Sequence, residues 1–141
     1  MAAEYSANAL QTVPAGGPVI FTESPVPCYR GLIYHRDESG LFRLAGLNCC
    51  RGTNYEVGFH ANIQVPTGGT VEAISLAIFI DGEQDPSSTM TVTPAAVEEA
   101  FNVGAGIIVS VPCICRCSAV SVRNVSTQPI QVSNANIIFD R

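Results

Sequence analysis

Alternation with a period of two dominates the chain. From Tyr55 onward one parity carries Tyr55, Val57, Phe59, Ala61, Ile63 and Val65, and the other carries Glu56, Gly58, His60, Asn62 and Gln64. Successive side chains of a strand point to opposite faces, so this segment predicts a long strand with one dry and one wet side. Ile74, Leu76, Ile78 and Ile80 repeat the pattern, with Ala73, Ser75, Ala77 and Phe79 opposite. Near the C-terminus Ile130 and Val132 share one parity, while Ala135, Ile137 and Phe139 share the other. A bulge between Ser133 and Asn136 would let both halves face the same core.

Shorter apolar runs predict further strands over 19–22, 31–35, 41–44, 89–93, 107–111 and 118–125. The separators are rich in Gly, Pro, Asp and Ser, as in Pro66-Thr-Gly-Gly, Asp81-Gly-Glu-Gln-Asp-Pro and Ser24-Pro-Val-Pro. Many short strands between such turns predict an all-β sandwich or barrel. One segment reads as helical. Thr93-Pro-Ala-Ala-Val-Glu-Glu-Ala-Phe offers an N-cap, a proline at the first helical position and alanine filling. Residues 1–13 read as an N-terminal arm, and 14–141 as one domain.

Composition narrows the function classes. Of 141 residues, 47% are hydrophobic and 13% charged, about half the charged fraction usual in soluble domains. That excludes intrinsic disorder. It also leaves apolar surface that a second copy of the chain would cover. The net charge of −5 argues against a nucleic-acid partner. No apolar run reaches the ~18 residues of a membrane span, so no membrane partner is expected. The opening Met1-Ala-Ala-Glu-Tyr-Ser lacks a basic region and apolar core, so export through the general secretory route is not expected. All seven basic residues are arginine. Without lysine there is no phosphate-loop lysine, no Schiff base and no Ser-Lys dyad.

No nucleophile–base pair stands out, so neither a catalytic residue nor a cofactor is expected. His35 sits beside Arg36 and Asp37 in what reads as a solvated turn, and His60 lies on the wet face of the long strand. In a symmetric oligomer, copies of His60 could meet around an axis and hold an anion or metal. The acids Glu98-Glu99 and Asp81/Glu83/Asp85 lack the cleft that paired-carboxylate catalysis needs. Asn124-Val-Ser126 matches a glycosylation acceptor.

Six cysteines are the sharpest local feature: Cys28, Cys49, Cys50, Cys113, Cys115 and Cys117. On a strand the last three share one face, about 6.6 Å apart, so disulfide partners would lie across strands. Three readings stay open: thiols filling apolar sites, disulfides within or between subunits, and a metal held by Cys113, Cys115 and Cys117.

The element order resembles the jelly-roll of the tumour-necrosis-factor and complement globular-head superfamily. The likeness rests on a small hairpin (31–35, 41–44), the long strand starting Tyr55-Glu-Val-Gly-Phe, its Pro-Thr-Gly-Gly turn, and the closing hairpin Val120-Ser-Val-Arg-Asn-Val to Ile130-Gln-Val-Ser-Asn-Ala-Asn-Ile. It looks most like the bacterial branch at the tips of spore-surface collagen-like proteins and in stand-alone phage and prophage proteins. The resemblance implies a jelly-roll β-sandwich with an N-terminal arm, a homotrimer, and no catalytic residues. It points to a structural virion protein, a capsid decoration whose partners are its own copies and the capsid lattice. Two alternatives are a disulfide-linked subunit of an extracellular or spore-surface appendage, and a carbohydrate- or receptor-binding head presenting Asp81–Ser88 or Arg36–Gly40.

Overall fold

The computed structural model describes residues 2–28, 31–46, 52–112 and 117–141. It contains strands β1 (Ala2–Ala7), β2 (Gln11–Val13), β3 (Glu23–Val26), β4 (Ile33–His35), β5 (Phe42–Ala45), β6 (Thr53–Gln64), β7 (Ile74–Ile80), β8 (Glu83–Gln84), β9 (Met90–Val92), β10 (Phe101–Val111), β11 (Cys117–Asn124) and β12 (Ile130–Asp140). One 3-10 turn spans Pro86–Ser88. Two antiparallel sheets form a sandwich. The first runs β10-β6-β12-β1-β3, with β2 also paired to β12; the second runs β4-β5-β11-β7-β8, with β9 also paired to β7.

The period-two pattern does what it predicts. Tyr55, Val57, Phe59, Ala61 and Ile63 of β6 are buried against Ile74, Leu76 and Ile78 of β7 and Val120 and Val122 of β11 within one core. In β12 the pairing with β6 slips between Ser133 and Asn136, and Asn134 takes a left-handed φ of 50°. That bulge puts Val132, Ala135, Ile137 and Phe139 all inside. Phe42 ties the layers together. Its ring lies 4.9 Å from Tyr5, 5.3 Å from Phe21 and 4.9 Å from Phe139, centroid to centroid.

Residues 1–13 are not an arm over the part that the structure describes. β1 pairs with β12 from Ala2↔Asp140 to Ala7↔Ala135, and β2 pairs with the other half of β12. Ala3, Tyr5, Ala7 and Val13 are buried. Alanines carry little apolar signal, so this alternation passes for a weakly patterned leader. The expected helix over 93–101 is also absent. Its middle is a turn in which Glu98 has a left-handed φ of 61° and donates its N–H to the Val65 carbonyl at 2.8 Å. A segment so short cannot sustain its own nucleation cost against a tertiary partner.

Other boundaries moved for local reasons. Residues 19–22 alternate inward and outward, with Val19 and Phe21 buried, but form no strand of their own: Phe21 makes an isolated bridge to Ser39, and the Val19 and Thr22 N–H groups donate to the Val122 and Ser6 carbonyls. Ser24-Pro-Val forms the sheet's edge strand β3, where a proline costs no ladder bond. β10 begins at Phe101, six residues earlier than expected, because Gly104 and Gly106 dilute its apolar pattern.

The Tyr5→Ala variant separates an arm from a structural strand. Loss of a buried aromatic from the core costs about 3 kcal/mol or more. Urea unfolding should show that loss; an unchanged midpoint would mean that β1 contributes nothing to the sandwich.

Candidate functional site

Two surfaces carry the chemistry that the strands expose. The larger is the outward face of the first sheet, and it divides along the strands. Toward one end it is a hydrogen-bonded amide ladder. Asn102 Nδ2 donates to Asn62 Oδ1 at 3.1 Å and Gln64 Nε2 donates to Gln131 Oε1 at 2.8 Å. Asn136 Nδ2 donates to Glu4 Oε1 at 2.5 Å. His60 is exposed within this region, between its cross-strand neighbours Gly104 and Asn136.

Toward the other end the face is apolar and hollow. Gly58 stands opposite Gly106 on one side and Ile138 on the other. The paired glycines make a floor without side chains, and a Cβ built at Gly58 meets nothing within 4 Å. Ile108 and Ile138 are 65% and 42% exposed. With Glu56 and Asp140 they enclose a basin of about 530 Å³. Within residues 107–111, Ile108 is thus exposed, whereas Val109 and Val111 are core. The parity of Ala73, Ser75, Ala77 and Phe79 is partly closed: Ala77 is buried and the Arg123 guanidinium lies 5.3 Å from the Phe79 ring centre.

The second surface lies on the β4–β5 hairpin. Tyr34 pairs across strands with Arg43, and together with Arg36, Ser39 and Leu41 they line a basin of about 430 Å³. His35 is not in a solvated turn. Its ring stacks on Phe42 at 4.3 Å and 13°, its Nε2 lies 2.9 Å from the Ser39 carbonyl oxygen, and its Nδ1 is buried without a partner.

The expected metal and disulfide residues scatter or lie outside the described residues. His60 sits midway along β6 in the first sheet, while Cys117 opens β11 in the second. Among the described residues no three His, Cys, Asp or Glu side chains gather as metal ligands. Cys117 is an exposed free thiol opposite Ala45, and Cys28 packs half-buried against the core. Cys49, Cys50, Cys113 and Cys115 lie outside the described residues. Near this end two buried tyrosines anchor the sheets. Tyr55 donates its hydroxyl to the Ala45 carbonyl at 2.5 Å. Burial raises the pKa of Tyr55 and that of Tyr5, a Cys28 backbone hydrogen bond opposing the rise at Tyr5.

The acidic groups shape turns. Asp81 Oδ1 accepts the Ala119 N–H at 2.8 Å, and Asp81 and Gly82 both take positive φ in the hairpin turn between β7 and β8. Asp85 caps the 3-10 turn by accepting the Ser87 N–H at 3.0 Å. Glu99 accepts the Ala95 N–H at 3.0 Å. Asn124, of the glycosylation pattern, is fully buried. It donates to the Val13 and Gln128 carbonyls at 3.1 and 2.8 Å and accepts the Ser126 N–H at 2.9 Å. Its amide is therefore used inside the fold.

The second basin takes Arg36 and Ser39 from the expected Arg36–Gly40 loop and adds Tyr34, Leu41 and Arg43, which the sequence did not single out; the first basin was not expected as a site. A signal for the first was present: Gly58 interrupts the wet face of a regular strand, and Ile138 is apolar on the parity opposite Ile137 and Phe139.

No family model matches the chain, and no curated protein matches it in sequence. Solved structures do match. Eiger TNF from S. frugiperda superposes with a TM-score of 0.71 at 10% identity, covering all of this chain and 92% of that one. Murine APRIL at pH 5.0 superposes with a TM-score of 0.67 at 6% identity, covering both chains completely. The fold is a TNF-like jelly-roll. At these identities the likeness is one of architecture.

Replacing Asn124 by alanine leaves two carbonyls and one N–H without their partner. Unsatisfied buried groups cost ~1–3 kcal/mol each, so a loss of about 3 kcal/mol is expected in urea unfolding. A loss below about 0.5 kcal/mol would mean water replaces the amide without cost.

Proposed function

We propose that this chain is a non-catalytic structural subunit of a particle surface, a phage capsid decoration protein, that assembles as a homotrimer through the glycine-floored face of its first sheet. The observation that carries the reading is the pairing of Ile108 and Ile138 with a side-chain-free floor on an otherwise polar sheet face. Burying one such isoleucine is worth ~1.5–3 kcal/mol, so a shared face of this kind favours association. A cyclic arrangement of three copies closes and leaves no such patch free. The TNF-like architecture agrees with that mode of self-association. The turn-building acids and the buried Asn124 leave the exposed chemistry to surfaces that bind.

Residues 2–7 and 11–13 are strands of the sandwich, so they do not form a free arm for lattice contact. Contact with a lattice then falls to the loops and edges of the trimer.

Gly58→Arg tests the self-association face without disturbing the subunit, since space is open above that position and its φ is ordinary. Native mass spectrometry should show a trimer for the parent chain and a monomer for the variant, whose circular dichroism spectrum remains that of the folded subunit. A monomeric parent at tens of micromolar, or a trimeric variant, would sink the proposed interface.

The particle role has its own test. The tagged chain, expressed beside the genes that flank it, should co-sediment with assembled particles through a density gradient. Recovery only as covalent ladders on non-reducing gels, outside any particle fraction, would replace this role with the disulfide-linked appendage.

A further inference from the structure

The basin on the β4–β5 hairpin belongs to the other sheet from the self-association face, and its chemistry differs. Arg36 and Arg43 are exposed, and neither pairs with a carboxylate among the described residues. The remaining residues of the chain include no acid that could pair with them. Asp37 and Glu38, in the same turn, do not line the basin. Arg123, by contrast, is committed to the Phe79 ring and the Ser121 hydroxyl. Beside the two free guanidiniums stand a tyrosine ring that is 65% exposed and Leu41, 40% exposed.

The basin is preorganised. The Ser39 N–H donates to the Arg36 carbonyl at 3.1 Å, closing the turn, and the Ser39 hydroxyl accepts the Leu41 N–H at 3.0 Å. The Ser39 carbonyl is held by the Phe21 N–H at 3.1 Å and lies 2.9 Å from His35 Nε2. Gly40 is wedged so tightly that a Cβ there would lie 2.6 Å from both the Val19 carbonyl oxygen and Pro18. A rigid rim lowers the entropic cost of holding a ligand.

We propose that this basin binds an acidic sugar, a pyranose ring carrying one carboxylate. A guanidinium fork matches a carboxylate through two parallel N–H···O bonds. The exposed Tyr34 ring offers a flat apolar platform for the C–H face of a sugar, and the Ser39 hydroxyl sits at the rim. About 430 Å³ is within the range of small-ligand sites. The net charge of −5 repels polyanions at long range, so nucleic acid and highly phosphorylated partners are disfavoured more than a sugar with one carboxylate per ring.

The experiment is an NMR titration of the full chain with trigalacturonic acid at low salt, with maltotriose, hexaglutamate and inorganic phosphate in parallel arms. Saturable shifts should appear at the Tyr34, Leu41 and Arg43 amides with trigalacturonate alone. Affinity should fall at least about tenfold in Arg43→Gln, Arg36→Gln and Tyr34→Ala, and stay unchanged in Arg123→Gln. These exposed side chains can be replaced without unfolding the subunit, which a melting curve on each sample checks. Equal shifts with maltotriose would remove the role of the arginines. Equal shifts with hexaglutamate or phosphate would reduce the basin to a general anion patch and overturn the sugar. No saturable shift with trigalacturonate in the millimolar range overturns the site outright. The trimer is read by mass and this site by titration, so either can fail alone.

Discussion

Everything in this molecule depends on β12 lying in the interior of its sheet. The last strand of the chain pairs on one side with β6 and on the other with β1 and β2, the first two strands. Ala2 opposes Asp140, so the two ends of the sequence are neighbours across one ladder. Such pairings lie far apart along the chain, and their loop-closure entropy must be met before any hydrogen bond repays it. What repays it is the core beneath. The slip at Ser133–Asn136 turns Ala135, Ile137 and Phe139 inward alongside Val132, so β12 is apolar on its inner side along its whole length. Phe42 then fastens that sheet to the other by touching Tyr5 of β1 and Phe139 of β12.

The same constraint explains what could be read from the residues and what could not. β6, β7 and β12 declare themselves because bulky apolar side chains alternate with polar ones, and even the β12 bulge follows from its parity change. β1 hides because Ala3 and Ala7 carry its inward face, and alanine speaks weakly for burial. β10 hides because two of its outward positions are glycine. The short helix expected over 93–101 fails for the opposite reason. Local propensity there is clear, but the Val65 carbonyl takes the Glu98 N–H into a left-handed turn. Tertiary hydrogen bonding outweighs propensity over so few residues.

The candidate sites were less legible than the fold, and the physical reason is common to both. A site on a β-sandwich is assembled from side chains on adjacent strands that are distant in sequence. Gly58, Gly106 and Ile138 form one floor and wall only after β6 has been flanked by β10 and β12. Tyr34 and Arg43 are closer in sequence, yet their juxtaposition needs the hairpin register. The histidines illustrate the limit. His60 stands on the wet face, as its parity requires. His35, next to charged residues in sequence, is drawn onto Phe42 because β4 ends there and its ring covers the aromatic cluster.

The two outer faces of the sandwich differ in how they treat exposed apolar surface, and that difference is the basis for dividing their roles. On the first sheet, exposed isoleucines flank glycines, a combination with little to orient a polar ligand and much to gain from a second apolar surface. On the second, exposed apolar groups accompany uncommitted guanidiniums, a combination that can exchange its hydration for a bound anion. A copy of the same chain supplies the first need. It supplies the second poorly at Asp81, Asp85 and Glu99, whose carboxylates already accept hydrogen bonds from their own backbone. The face that suits identical copies and the basin that suits a foreign anion therefore lie on opposite sheets, where assembly at one leaves the other open.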